Sequence, residues 1–379
     1  YYEPGLWDIR GPQPRPTALV RAASDLAEKG KFDHPVLDRA GWWRRSSRLH
    51  YPAFELPRSS SHPSRLQGSG ELRHPPRKLL ITGGNGALRS AFATQCVIRG
   101  LEYCVYDYAA LYGDAGQIPP RHDGSRAGSL RVLDIIRPWA VIDVGAGLLT
   151  AKSSAALAGA RDDAAAQAGP PMTITESIAR YCSEKDARLM VLSSDTVFDG
   201  YSYRPYFESD EVGPSTSYGQ GQAASEARIS AALPDSLIVR TSAFFGPHNA
   251  RGWLGRAVRA LHRDETVMAR SDLLVSMTYV PDLVEAALDL LIDAEKGIWH
   301  LANSGTLSRY EMGILAAKMI GTSSNRIASM EPVYTIPRYH RALGSERGIV
   351  MRSFDDALRH YIAKRAHASN ANDPERHYG

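Results

Sequence analysis

Two hydroxyl side chains and a glycine-rich turn are the parts of this chain best suited to chemistry. Ser194 lies in Leu192-Ser193-Ser194-Asp195-Thr196-Val197-Phe198-Asp199-Gly200, a strand end running into a turn, and Tyr218 opens the next helix. One helical turn beyond Tyr218, on the same face, stands Gln222. Upstream, Leu79-Leu80-Ile81-Thr82-Gly83-Gly84-Asn85-Gly86 reads as a strand that breaks into glycines. The first glycine permits a tight turn. Gly86 lets backbone approach a pyrophosphate, held at the N-terminus of the helix that begins at Ala87. Reducing a carbonyl needs a hydride donor on one face and a proton donor within ~3 Å of the oxygen.

The elements that must position these residues alternate between strand and helix. Strands are expected at Lys78–Thr82, Tyr103–Asp107, Ala140–Val144, Arg188–Ser193 and Ser236–Arg240. Helices are expected at Ala87–Arg99, Thr173–Lys185 and Tyr218–Leu233. The strands are nearly all apolar, as where helices cover both faces of a parallel sheet. The fold class is therefore α/β, a doubly wound parallel sheet of the Rossmann type. After Arg240 the pattern loosens. Helices at Val280–Asp293, Ser308–Ile320 and Ser353–Lys364 are separated by irregular stretches, which suits a smaller C-terminal substrate-binding lobe. The expected division is an N-terminal extension (1–56), a Ser/Pro/Gly/His/Arg-rich linker (57–77), a dinucleotide-binding domain (78–245), the lobe (246–364) and a disordered tail (365–379).

Together these features resemble the extended short-chain dehydrogenase/reductase family, and within it the dTDP-4-dehydrorhamnose reductase branch. The Ser194/Tyr218 pair carries the likeness together with Phe198-Asp199-Gly200, Pro205-Tyr206, Glu208 and Pro214. Thr278-Tyr279-Val280-Pro281-Asp282-Leu283, Gly297-Ile298-Trp299-His300-Leu301-Ala302, Leu307-Ser308-Arg309-Tyr310-Glu311 and Arg341-Ala342-Leu343 follow the branch's order through residue 364. The resemblance implies NAD or NADP as cofactor and a nucleotide sugar as substrate. It makes Tyr218 the proton donor and Ser194 the carbonyl holder, and it gives position 222 to a lysine that lowers the tyrosine pKa. It places the cofactor against Gly83, Asn85, Gly86, Ala87, Leu88, Arg89, Asp107, Asp143, Gly145 and Ala146. On the substrate side it places Asp195, Thr196, Phe198, Arg341 and Arg347.

The chain departs from that pattern in places. Gln222 offers only hydrogen bonds, and an unassisted tyrosine with a pKa near ~10 is ionised about one part in a thousand at pH 7. Reductase activity is therefore expected to be slow. The alternative is a catalytically impaired module that binds a nucleotide or sugar nucleotide for regulation. Arg89 stands where a third glycine would allow close helix–strand packing, Asp143 where the branch has Asn, and Pro171 where an Asn would order a water on the proton path. Asp107 leans toward NAD because an acid repels a 2′-phosphate, while Arg89 leans toward NADP. Either residue is equally at home as a solvated surface charge.

Composition narrows the classes. With 379 residues and a net charge of +4, the charges mostly mixed along the chain, nothing argues for nucleic-acid binding. No apolar run approaches the ~20 residues of a membrane span. Three cysteines without paired spacing read as reduced thiols of a cytoplasmic protein. No His-Glu-x-x-His or cysteine-pair pattern indicates a metal. The chain opens Tyr1-Tyr2-Glu3-Pro4, without Met or a signal-peptide pattern, which points to a fragment, a processed chain or residues upstream. Its first 56 residues, with Gly41-Trp42-Trp43, resemble the tail of a family-1-glycosidase-like domain fused ahead of such reductases. An extension packing its tryptophans on the main domain is the alternative. An upstream glycosidase-like domain is thus one expected partner, and a homodimer is left open.

Overall fold

The structure is a computed structural model that describes residues 5–11, 13–38, 76–83, 86–106, 126–145, 172–249, 252–330, 339–347 and 351–371. Its centre is a six-stranded parallel sheet. The strands are β1 (Leu79–Thr82), β2 (Tyr103–Tyr106), β3 (Ala140–Asp143), β4 (Arg188–Ser194), β5 (Leu237–Thr241) and β6 (Gly297–His300), in the order β6-β5-β4-β3-β1-β2. The first five are the expected strands, with ends shifted by a residue or so. The sixth was not expected as a strand.

Why these segments pair is visible in their side chains. Leu79, Ile81, Ile142, Leu192 and Val239 point to one face, Leu80, Val141, Val191 and Ile238 to the other, and all are essentially inaccessible. The first face is covered by the helices Gly86–Arg99 (α2) and Val280–Ile292 (α7), and the second by Arg126–Ile136 (α3), Met172–Lys185 (α4) and Ser217–Ala232 (α5). A strand buried on both faces has no use for alternation, so the unbroken apolar runs are the sequence imprint of this sandwich. The chain passes from β1 to β2 on one side and returns to β3 on the other. A crevice for a ligand therefore opens at the carboxyl ends of β1 and β3.

Beyond β5 a second cluster forms around Phe245, Tyr279 and Tyr361, packed by helices Trp253–Leu261 (α6), Arg309–Ile320 (α8) and Phe354–Ala371 (α9). Ser308 and Glu311 form a reciprocal capping box at the start of α8, and Gly321, at φ +83°, ends that helix. Helix α9 continues to Ala371, seven residues beyond the expected Lys364. Helix α6, absent from the expectation, is short but strongly two-sided, with Leu254, Val258 and Leu261 buried.

The N-terminal residues pack on the main domain. Trp7–Asp8 pairs with Arg15–Pro16 in a small hairpin, and helix Ala18–Lys29 (α1) begins with its Ala18 N–H donating to Asp293, at the end of α7 (2.6 Å). Arg15 reaches Asp8, Asp293 and Glu295, and Arg10 spans Asp8 and Asp289. Arg77 pairs with Asp38 and Asp33. Trp42 and Trp43, expected to pack here, and most of the linker lie outside the described residues. Cys96, Cys104 and Cys182 are free thiols, and burial pushes Cys96 and Cys182 up to about 12.

Candidate active site

Ser194 is the last residue of β4 and caps the short turn Asp195–Val197. Its Oγ accepts from the Thr196 N–H (3.3 Å) and donates to Asp195 Oδ1 (2.9 Å). The other carboxylate oxygen of Asp195 accepts from Ser242 Oγ (2.8 Å), just past the end of β5. Asp195 is almost inaccessible, and burial pushes its carboxyl above the ordinary range. The nearby Arg341 charge and the two serine hydroxyls oppose that shift. Ser193, its side chain on the opposite face, donates to Glu226 on α5 (2.5 Å), so adjacent serines tie β4 to different partners.

Helix α5 brings Tyr218 to this strand end. Thr216 caps it by accepting from the Gly219 N–H (3.1 Å). At Gly219 the helix lies so close to the Asp195–Val197 turn that a Cβ would fall 2.1 Å from the Thr196 carbonyl oxygen. Only glycine allows that approach, and Tyr218 precedes it. Burial raises the Tyr218 phenol well above its ordinary pKa, and the Asp195 charge raises it further. A hydrogen bond from the buried Gln222 works against both. One turn further along, Glu226 holds Arg240 of β5 through both carboxylate oxygens (2.7–3.2 Å), with each side chain less than a tenth exposed. The Arg240 guanidinium lies over the Phe198 ring at 5.1 Å.

The glycine turn stands at the crevice between β1 and β3. Gly83, at φ +107°, abuts Gly145, and a Cβ there would lie 2.2 Å from the Gly145 nitrogen. Gly86 is different: a Cβ on it would meet nothing within 4 Å, which is open space in front of the α2 N-terminus. Thr82 Oγ1, at the end of β1, is buried without a hydrogen-bond partner among the described residues. Arg89 curls back to donate to the Gly83 carbonyl (3.0 Å), so the residue in the third glycine position braces the turn. These features fit a diphosphate. Ala87 is half-buried beside them.

Several expected ligand contacts do not fit their positions. Leu88 is core, packed under the sheet. Asp143 is fully buried, and its oxygens accept from the Gly145 N–H (2.8 Å) and Thr175 Oγ1 (2.7 Å), so it shapes the Gly145 turn. Phe198, expected beside a substrate, is sealed inside a cluster, stacked on Tyr206 at 4.1 Å. Arg347 donates to the carbonyls of Lys296 and Ile298 and lies over Trp299, at the N-terminal end of β6 and away from the Ser194 strand end. Asn85, Asp107, Ala146 and Pro171 lie outside the described residues.

Thr196 and Arg341 lie beside Asp195 at the Ser194 strand end. Thr196 Oγ1 and Arg341 Nε are buried and lack hydrogen-bond partners among the described residues, while Arg341 Nη2 donates to Tyr339 Oη (2.9 Å). The sequence reading missed Ser242, Tyr339 and the Glu226–Arg240 pair. Ser242 carried no motif signal, whereas Gln222 and Glu226 share a helix face with Tyr218 at one-turn intervals, which a reading of that face could have found. Among the described residues no three His, Cys, Asp or Glu side chains gather as a metal site.

The RmlD substrate binding domain family matches residues 77–348. Among curated proteins, the spore coat polysaccharide biosynthesis protein SpsK of Bacillus subtilis is 32% identical over 48% of this chain and 66% of its own length. A Streptomyces niveus dTDP-4-keto-6-deoxy-D-glucose reductase is 31% identical over 40% of this chain and 52% of its own length. The chain thus spans between half and two thirds of these relatives. A dTDP-4-dehydrorhamnose reductase of Mycobacterium tuberculosis is 28% identical over 66% of this chain and 78% of its own length. Among solved structures, a dTDP-4-dehydrorhamnose reductase from Bacillus anthracis in complex with NADP superposes with TM-score 0.62 at 20% identity, covering 76% of this chain and 98% of that one. The fold, the strand-end site and a family match over well over half of the sequence agree: the chain belongs to the RmlD substrate-binding-domain family.

Proposed function

We propose that this chain is an NAD(P)-dependent reductase of a 4-keto-6-deoxy sugar nucleotide, with dTDP-4-dehydrorhamnose as the candidate substrate and slow turnover. The observation that carries the reading is the approach of α5 to the Ser194 strand end through Gly219 and Thr196, beside the crevice of Gly83 and Gly145. Relatives named as reductases of dTDP-linked keto sugars support the substrate class. The α2 N-terminus, Gly83 and Gly86, braced by Arg89, would hold the dinucleotide, which supplies a hydride when bound. Ser194 and Tyr218 offer hydroxyls to the carbonyl oxygen. Arg341, always cationic, suits the diphosphate or sugar hydroxyls.

Slow turnover follows from Gln222. A lysine there would lower the phenol pKa by its charge, whereas glutamine offers a hydrogen bond alone, and the Tyr218 pKa lies above its ordinary value. The same observation favours a second reading, a binding module whose reductase chemistry has faded. Following reduced nicotinamide by absorbance with dTDP-4-dehydrorhamnose separates them. Slow, saturable oxidation supports the reductase. Tight cofactor and dTDP binding with no oxidation supports the module, and absence of both sinks the two together.

A further inference from the structure

Four arginines are buried among the described residues, and three of them sit against a carboxylate. Arg15 reaches Asp8 at 3.1 Å, Arg240 reaches Glu226 at 2.7 Å and Arg270 reaches Asp272 at 2.6 Å. Arg341 is the exception. It is 4% exposed, and its guanidinium lies over the Tyr339 ring at 4.9 Å, with Nη2 donating to Tyr339 Oη (2.9 Å). No carboxylate among the described residues stands within ion-pair distance of it, and Nε has no hydrogen-bond partner there. Its charge is felt at Asp195, but the oxygens of that carboxylate are taken by the Ser194 (2.9 Å) and Ser242 (2.8 Å) hydroxyls. Thr196, next to Asp195, adds a second buried polar atom without a partner, Oγ1. A buried cation with no anion against it is destabilising, because nothing offsets its lost hydration. A ligand that brings negative charge would supply what is missing.

We infer that Arg341 and Thr196 seat the diphosphate of the substrate, and that Tyr339 is the positioning residue that holds Arg341 there. The inference rests on the reductase reading, whose sugar nucleotide carries its negative charge on that diphosphate. A guanidinium fork suits phosphate oxygens, and a hydroxyl can donate to one as well. Tyr339 fits the holding role because it is neutral. A carboxylate in its place would cancel the charge that the ligand is to meet. A phenol orients the guanidinium through its hydroxyl and ring face and leaves that charge in place. The Tyr339 hydroxyl is fully engaged. It donates to the Asp199 carbonyl, which can only accept, so Ser215 Oγ donates to it (2.9 Å) alongside Arg341. The ring has room because residue 200 is glycine, at φ +88°, where a Cβ would fall 2.3 Å from a ring carbon. Asp199 and Gly200 continue the chain from the Ser194 turn, so Tyr339 fastens the arginine to the segment that carries the carbonyl holder. The backbone is held on both sides. The His340 N–H donates to the Gly200 carbonyl and the Arg341 N–H to the Leu274 carbonyl, each at 2.8 Å.

Calorimetry with dTDP and with NADPH on the same proteins tests the seat. In Arg341→Met, dTDP binding is expected to weaken about tenfold, the scale of a lost charge-assisted hydrogen bond, while NADPH binding stays within twofold. Without ligand this variant should melt no lower than the unaltered protein, since an unpaired buried cation has been removed. Thr196→Val, nearly the same in shape, should weaken dTDP binding about fivefold. Tyr339→Phe keeps the ring and loses the hydroxyl. It should weaken dTDP binding about fivefold alone and add nothing on top of Arg341→Met, because it acts through the arginine. Losses that add would overturn the positioning role of Tyr339, and normal dTDP binding by Thr196→Val would remove that threonine from the seat. Binding of dTDP by Arg341→Met within twofold of the unaltered protein overturns the seat and leaves the reductase reading intact. A lower melting temperature with dTDP and NADPH weakened alike marks a structural arginine and overturns it too. If the unaltered protein binds NADPH but no dTDP at millimolar concentration, the reading of a dTDP-sugar reductase fails, and the seat with it.

Discussion

Gln222 changes what its neighbours must do. The Tyr218 phenol is pushed up first by burial and then by Asp195, and Gln222 offsets only part of this. Replacing Gln222 with Lys puts an ammonium one turn from the phenol, at little helical cost. Two outcomes are expected. Tyr218 should ionise at a lower pH, read by ultraviolet titration against Tyr218→Phe. Turnover should rise about tenfold, equivalent to ~1.4 kcal/mol of barrier. Tyr218→Phe made on top of Gln222→Lys should remove the gain. An unmoved phenol titration would mean that Gln222 does not set the Tyr218 environment.

The glycine turn separates two roles that glycine can play. Gly83 is needed by the fold, at φ +107° and against Gly145, whereas Gly86 faces open space. Gly83→Ala forces a Cβ into backbone from a conformation that L residues avoid, and a loss of ~2–3 kcal/mol is expected from the overpacking and strain. Gly86→Val should leave the melting temperature within a few degrees, yet weaken NADPH binding by calorimetry at least tenfold. If Gly86→Val binds normally, the α2 N-terminus is not the diphosphate site. The second element-level test concerns the link between α5 and β5. Removing one charge of a buried pair strands the other, so Glu226→Gln should cost about 3–5 kcal/mol in denaturant unfolding, more than any exposed pair here.

For the whole molecule, the N-terminal segment is the surprise. Composition predicts cleavage between Pro57 and Arg77. The contacts of Arg10, Arg15, Ala18 and His34 with residues 289–295 predict that the two fragments stay together afterwards. Size-exclusion chromatography of nicked protein should show one peak; two peaks would contradict the docking. Acid should loosen it. His34 donates from Nε2 to the Ile292 carbonyl (3.2 Å) while Nδ1 accepts from the Val36 N–H (3.3 Å), an arrangement only the neutral ring can make. Burial, with Arg188 nearby, pulls its pKa from 6.5 down to about 4. The unfolded chain therefore binds the proton first on acidification. The His34 contribution is complete above pH 6.5 and is lost between 6.5 and about 4, up to ~3 kcal/mol. His34→Gln should flatten that part of the stability profile.

What the sequence by itself determined was local or periodic: five parallel strands, the glycine turn after β1, and the hydroxyls of Ser194 and Tyr218 at the ends of their elements. Each follows from chemistry within a few residues, where apolar runs, breakers and caps act directly. Tertiary structure alone decided the rest. Gly297–His300 is short and half polar, and it became a strand because β5 offered it an open edge. Arg341 and Arg347 are close in sequence and look alike as phosphate ligands, yet one lies near Asp195 and the other is fastened to the far end of β6. Ser242 reached Asp195, and residues 5–38 reached the end of α7, across separations that no sequence window contains. Such contacts are chosen by how layers stack and where loops must close, and those are properties of the folded chain.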